Sequence, residues 1–128
     1  MELEFPDMRA EVVELLRSLA DREYQRRVWV DKVYPHDNFY DDFTMTVNIL
    51  DDIRVLDEPE VQIGGVLASE DEAQLMRAVS ASLNRLFNEY GTDRTDQFYI
   101  HVPEWRVVVD SAGAALAELL KNDATGKR

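Results

Sequence analysis

At 128 residues with 45% apolar side chains, the chain has the size of one domain and can bury a core without disulfides or a structural metal. It contains no cysteine, which excludes disulfide frameworks, thiolate zinc sites and thiol nucleophiles. Its net charge of −12 repels nucleic acid and anionic membranes.

The charge is unevenly placed. Residues 1–36 hold eight acids and six bases, whereas residues 37–60 hold eight acids and only Arg54, a local balance of −7. Such a field favours basic partners or cations, although acidity also serves solubility alone. Met1-Glu2-Leu3-Glu4 is acidic where a secretory leader carries positive charge. Apolar runs such as Val107-Val108-Val109 fall far short of the ~20 residues that span a bilayer. A soluble cytoplasmic protein without a membrane partner is the expectation.

In chain order, Pro6 and Asp7 open an amphipathic helix whose stripe is Met8, Val12, Leu15, Leu16 and Leu19. Asp21 then caps a short second helix in which Tyr24 and Val28 share a face, and Pro35 ends regular structure. The segment Asn38–Ile53 fits two periods. Phe43, Met45, Val47 and Ile49 alternate with polar residues as in a strand, while Phe39, Phe43, Val47 and Leu50 fit a helix capped by Asp37 or Asn38. The helical template explains the longer run and is preferred. Val61–Leu67, interrupted by Gly64-Gly65, reads as a short strand or an extended connection. Ser69 and Glu72 form a capping box for a helix over Ser69–Tyr90 that Gly91 terminates. Pro103 opens a last helix buried through Trp105, Val108, Val109, Ala112, Leu116, Leu119 and Leu120. The expected fold is all-α, an irregular bundle of about five helices forming one domain over residues 1–121 with a polar tail at 122–128. An α+β fold with a small sheet is the alternative.

As a helix turning about 100° per residue, Asn38–Ile53 gathers Asp41, Thr44, Asn48, Asp51 and Asp52 on one face. Such a strip presents carboxylates to a partner, lines a pocket, or merely faces solvent. Tyr34, Tyr40 and Trp29 stand beside this charge as interface anchors, although aromatic clusters more often form core. A second aromatic group, Phe98, Tyr99 and Trp105, offers a homodimer contact. Catalytic signatures are absent: His36 and His101 stand outside any metalloprotease spacing, no serine occupies G-x-S-x-G, and Gly64-Gly65 lacks the rest of a phosphate-binding loop. His36, Asp37, Asp41 and Asp42 supply the donors for an oxygen-and-imidazole metal site, but without thiolates or further imidazoles no metal and no cofactor are expected.

The stretches Glu23-Tyr24-Gln25-Arg26-Arg27-Val28-Trp29, Phe39-Tyr40-Asp41-Asp42-Phe43, Ile63-Gly64-Gly65-Val66-Leu67 and Pro103-Glu104-Trp105 resemble an uncharacterised family of small acidic actinobacterial proteins over about residues 7–120. The resemblance implies an all-helical bacterial domain and nothing catalytic. In format alone the chain is similar to bacterial immunity proteins, which block basic toxin nucleases. The expectation is therefore a non-enzymatic interaction module that binds a basic protein through Asp41, Asp42, Asn48, Asp51 and Asp52, with Tyr40, Tyr34 and Trp29 as anchors. A small-molecule or divalent-cation binding protein with an Asp-lined pocket is the alternative.

Overall fold

A computed structural model of the chain describes residues 2–126. Among them are six α-helices and no strand: α1 (Pro6–Ala20), α2 (Arg22–Tyr24), α3 (Phe43–Ile53), α4 (Glu70–Tyr90), α5 (Asp96–Tyr99) and α6 (Trp105–Gly126). The all-α class is thus as expected, with α5, a single turn capped by Thr95, as the additional helix. α2 runs directly into a π-helical segment, Gln25–Val30, and a 3-10 turn covers Pro59–Gln62. The Val61–Leu67 connection is closed by one isolated bridge, Ile63 to Leu67. Gly64 permits this turn by taking a φ of 97°, a conformation that costs a side-chain-bearing residue strain.

α1 and α4 both pack along α6, and α3 packs on α1. Val12, Leu16 and Leu19 of α1 meet Val108, Ala112, Ala115 and Leu119 of α6 in a dry seam, and Met76, Val79 and Leu86 bring in α4. Small residues let the helices approach: a Cβ built on Gly113 would stand 4.0 Å from Ala20 Cβ. At one end an aromatic cluster fills the space between α3, α4 and α6, with Phe43 5.0 Å from Trp105, 5.7 Å from Trp29 and 5.8 Å from Phe87 between ring centroids.

Among the described residues every buried polar side-chain group is satisfied except the Tyr34 hydroxyl, as a packed interior largely requires. Gln25 donates to the Ser18 and Leu19 carbonyls, two of the orphan acceptors at the end of α1, and accepts the Trp105 indole N–H at 2.9 Å. Arg9 lies across the junction of α1, α4 and α6. Its guanidinium donates to both oxygens of Glu72 (2.9 and 2.8 Å), to Asp123 (2.8 Å) and to the Val66 and Leu119 carbonyls. Glu72 is fully buried and also accepts the Ala68 N–H and the Asn122 amide. Ser69 caps α4 as expected, accepting the Glu72 N–H. The second half of the capping box differs. Glu72 reaches past Ser69 to the Ala68 N–H because Arg9 pulls its carboxylate inward.

Two boundaries also differ from the sequence reading. α3 begins at Phe43, not Asn38, with Asp42 as its cap accepting the Met45 N–H at 2.8 Å. Residues 122–126, expected in the tail, continue α6, and Asn122 and Asp123 join the buried cluster. Residues 127 and 128 lie outside the described residues.

Candidate functional site

The shorter α3 redistributes the expected acidic strip. Thr44, Asn48, Asp51 and Asp52 remain on one exposed helical face. Asp41 leaves the helix altogether. In the preceding loop it accepts from the Tyr24 hydroxyl (2.6 Å), the Trp29 indole N–H (3.0 Å) and the Thr46 hydroxyl (3.3 Å). It is therefore a tether as well as a charge. Trp29 is corrected likewise: at 1% exposure it is core, its ring wedged between Phe43 and Trp105, and it offers a partner no surface. Tyr34 is half-buried, its ring tilted against Phe39 and edge-on to Tyr40. Of the three expected anchors only Tyr40 is exposed. In the second aromatic group Tyr99 and Trp105 are buried and Phe98 half-buried, so the homodimer contact foreseen there is largely interior.

Asp41 and Tyr40 open onto a cavity of about 440 Å³ between α1, the start of α2, the 35–41 loop and α3. Its apolar lining is Leu15, Pro35, Phe39, Met45 and Ile49, and its charged lining is Glu11, Glu14, Asp21 and Asp41 against a single Arg17. The apolar side chains of α3 spread over more than half of its circumference and divide between two surfaces. Phe43, Thr46, Leu50 and Ile53 face the core, while Met45 and Ile49 form one wall of the cavity. Asn48 follows Met45 by three positions and Asp52 follows Ile49 by three, which makes each pair neighbours on the helix surface. The exposed acidic face therefore borders the cavity and does not line it.

Around this site the negative charge is incompletely compensated. Arg54 pairs with Asp57 (3.1 Å) and Glu58 (3.0 Å), and Arg77 of α4 reaches Glu60 at 2.6 Å. Among the described residues Asp37 and Asp52 have no ionic partner. Asp51 is likewise unpaired, and its pKa is raised by partial desolvation and by the neighbouring Asp57 and Asp52 charges. A third carboxylate joins Asp41 and Asp42 at the start of α3: Asp96 accepts the Phe43 N–H at 3.1 Å. Burial raises the pKa of Asp96 most, with Asp42 and Asp41 adding to it against the Phe43 bond and Lys32. Asp42 and Asp96 are held by N–H groups at the positive end of α3, while Asp41 is held beside them by Tyr24, Trp29 and Thr46. The Tyr40 hydroxyl donates to Asp42, and that bond leads the causes that push its phenol up to about 12. The Tyr24 phenol is raised too, by burial and then by its bond to Asp41.

Among the described residues no three His, Asp or Glu side chains are placed to hold a metal ion. His36 is exposed and packs edge-on to Phe39, and His101 bonds the Gln97 carbonyl, so neither joins Asp37, Asp41 and Asp42 in a ligand set. No helix among the described residues is long and apolar enough to cross a membrane.

The sequence reading missed Glu11, Glu14, Asp21, Tyr24, Met45 and Ile49 as cavity residues. One signal was available: an apolar arc of about 200° on a single helix demands a second packing surface, and here that surface is the cavity wall.

What these features define is a small all-α domain with an ion-paired core and an acidic, aromatic-edged groove. The chain belongs to the family described as domain of unknown function (DUF7945), whose family model matches residues 3–127. No curated protein and no solved structure matches it.

Proposed function

We propose that the domain is a non-enzymatic interaction module that takes a basic segment of a protein partner into the groove between α1 and α3. The observation that carries this reading is the pairing of an apolar floor (Leu15, Phe39, Met45, Ile49) with carboxylates at Glu11, Glu14, Asp21 and Asp41. An amphipathic cationic segment is the chemistry that satisfies both. Tyr40, 52% exposed, and Met45, 38% exposed, supply the desolvating contact, and Asp51 and Asp52 steer the approach. Asp42 and Asn48 hold the start and the outer face of the same helix. The sharpest form of the proposal is neutralisation of a basic toxin in the cytoplasm of an actinobacterium, as the format of immunity proteins suggests. A small organic cation in the same cavity is the second reading, favoured by a volume of about 440 Å³.

The test is selection of a displayed peptide library on the chain, with counter-selection on the variant Glu11→Gln/Glu14→Gln/Asp51→Asn/Asp52→Asn. Peptides combining Lys or Arg with Leu or aromatic residues are expected, and their contact shifts should map to Met45, Ile49 and Tyr40. Enriched peptides that bind both proteins equally, or that map to another face, would sink the proposal. Thermal-shift titration with polyamines tests the second reading, and the absence of any shift removes it.

A further inference from the structure

The segment 21–26 separates two cavities of opposite character. Asp21 and Tyr24 face the acidic groove, while Arg22, Glu23, Gln25 and Arg26, with Ile100 and His101, line a second cavity of about 330 Å³. In a chain with 26 acids and 14 bases a cation readily finds a carboxylate. Among the described residues Arg22, Arg26 and Arg85 nonetheless have no ion pair, side-chain hydrogen bond or ring contact, whereas the other cations all do. Two of these three share one cavity. They stand four residues apart, on one helical face, where like charges disfavour each other unless an anion lies between them.

The rest of the cavity fits a polar ligand. His101 Nδ1 lies 2.7 Å from the Gln97 carbonyl, which can only accept, so Nδ1 carries the hydrogen and Nε2 remains for a ligand. The Gln25 amide is committed to Ser18, Leu19 and Trp105 and serves as a fixed floor. That floor opens the π-helical segment, a wide turn that is rare and recurs at functional sites. Ile100 supplies an apolar wall. Glu23 is the one carboxylate in the lining, and its place is with a ligand hydroxyl.

We propose that this second cavity binds a small phosphomonoester carrying hydroxyl groups, of the sugar-phosphate class. Arg22 and Arg26 grip the phosphate, for which planar guanidinium donors are suited, and His101 Nε2, an acceptor in this tautomer, takes a ligand hydroxyl. Glu23 accepts from a hydroxyl and so favours the ester over inorganic phosphate. The site is independent of the basic-partner groove, and either can fail alone.

Calorimetric titration of the full chain with a hexose phosphate, inorganic phosphate, sulfate and a phosphoserine peptide tests it. Saturable binding is expected, tightest for the hexose phosphate. Arg22→Gln and Arg26→Gln should each weaken it about tenfold or more, the value of a hydrogen bond to a charged group. Arg85→Gln should leave it unchanged, and Glu23→Gln should narrow the gap between hexose phosphate and inorganic phosphate. Equal thermal midpoints of these exposed-residue variants would show that folding is intact, and Arg26→Lys, which keeps the charge, offers a second reading of the same contact. The proposal is overturned by an absence of saturable binding at millimolar ligand, by Arg85→Gln weakening binding as much as Arg26→Gln, or by preference for the phosphopeptide.

Discussion

Arg9 and Glu72 are a buried ion pair in which each charge relies on the other. Glu72 is the more exposed to loss, because among the described residues no other cation reaches it. Arg9 retains Asp123 and two carbonyls if Glu72 is neutralised. Arg9→Met should therefore cost about 3–5 kcal/mol in denaturant unfolding, Glu72→Gln clearly less, and the double variant should recover part of the Arg9→Met loss. Burial raises the Glu72 pKa, but the bonds from Arg9, the Ala68 N–H and Asn122 together outweigh it and hold the group below its ordinary 4.5. A carboxyl depressed in the folded state contributes stability that is complete above its unfolded value and lost as pH falls through the folded one. The acid limb of the stability curve should accordingly be shallower in Glu72→Gln. Asp96 has the opposite sign. Its pKa is raised above the ordinary 3.8, so its ionised form subtracts stability at neutral pH, and acidification through the raised value relieves the penalty. Asp96→Asn, whose side-chain oxygen still accepts the Phe43 N–H, should raise the melting temperature at neutral pH and lose that advantage in acid. A lower melting temperature at neutral pH would contradict the assignment.

Helix starts were readable because caps are local chemistry. Asp21 accepts the Tyr24 N–H and Ser69 the Glu72 N–H, each three residues on, as their sequence spacing implies. The start of α3 was not readable. Asp37, Asn38, Asp41 and Asp42 are all competent caps, and the choice is made by contacts that periodicity does not contain. Tyr24 and Trp29, 17 and 12 residues upstream, capture Asp41, and the Tyr34 ring packs against both Phe39 and Tyr40, which holds 39–41 outside the helix. For the same reason the exposed face of Asn48, Asp51 and Asp52 was legible from α3 alone, while Glu11 and Glu14 needed the docking of α1. α6 shows a further element-scale effect. Gly113 sits inside a helix with only Ala20 Cβ near a built Cβ, at an ordinary contact distance of 4.0 Å. Gly113→Ala should then gain about 0.5–1 kcal/mol through helix propensity alone, measurable by chemical denaturation. A loss would mean that α1 and α6 approach more closely than this distance allows.

At the scale of the whole molecule, a net charge of −12 acts on folding and on binding in opposite senses. Added salt screens self-repulsion within the compact state and also screens attraction to a basic partner. Raising sodium chloride from a few millimolar to about 0.5 M should increase the melting temperature while slowing association of a selected basic peptide. A melting temperature indifferent to salt would place the excess carboxylates too far apart to matter for stability. Composition announced this charge and a helical, cysteine-free domain. It could not announce the two cavities flanking residues 21–26, because each is assembled from segments distant in the chain.

The guanidinium of Arg9 and the carboxylate of Asp123 are 114 positions apart. On a ribosome adding about 5–20 residues per second, α1 therefore waits roughly ten seconds for its last counterion to be made. Throughout that interval the Val12, Leu16 and Leu19 side that α6 will cover stays open to water and to any chaperone within reach. Synthesis of this small domain thus passes through a period of vulnerability whose length is set by translation speed.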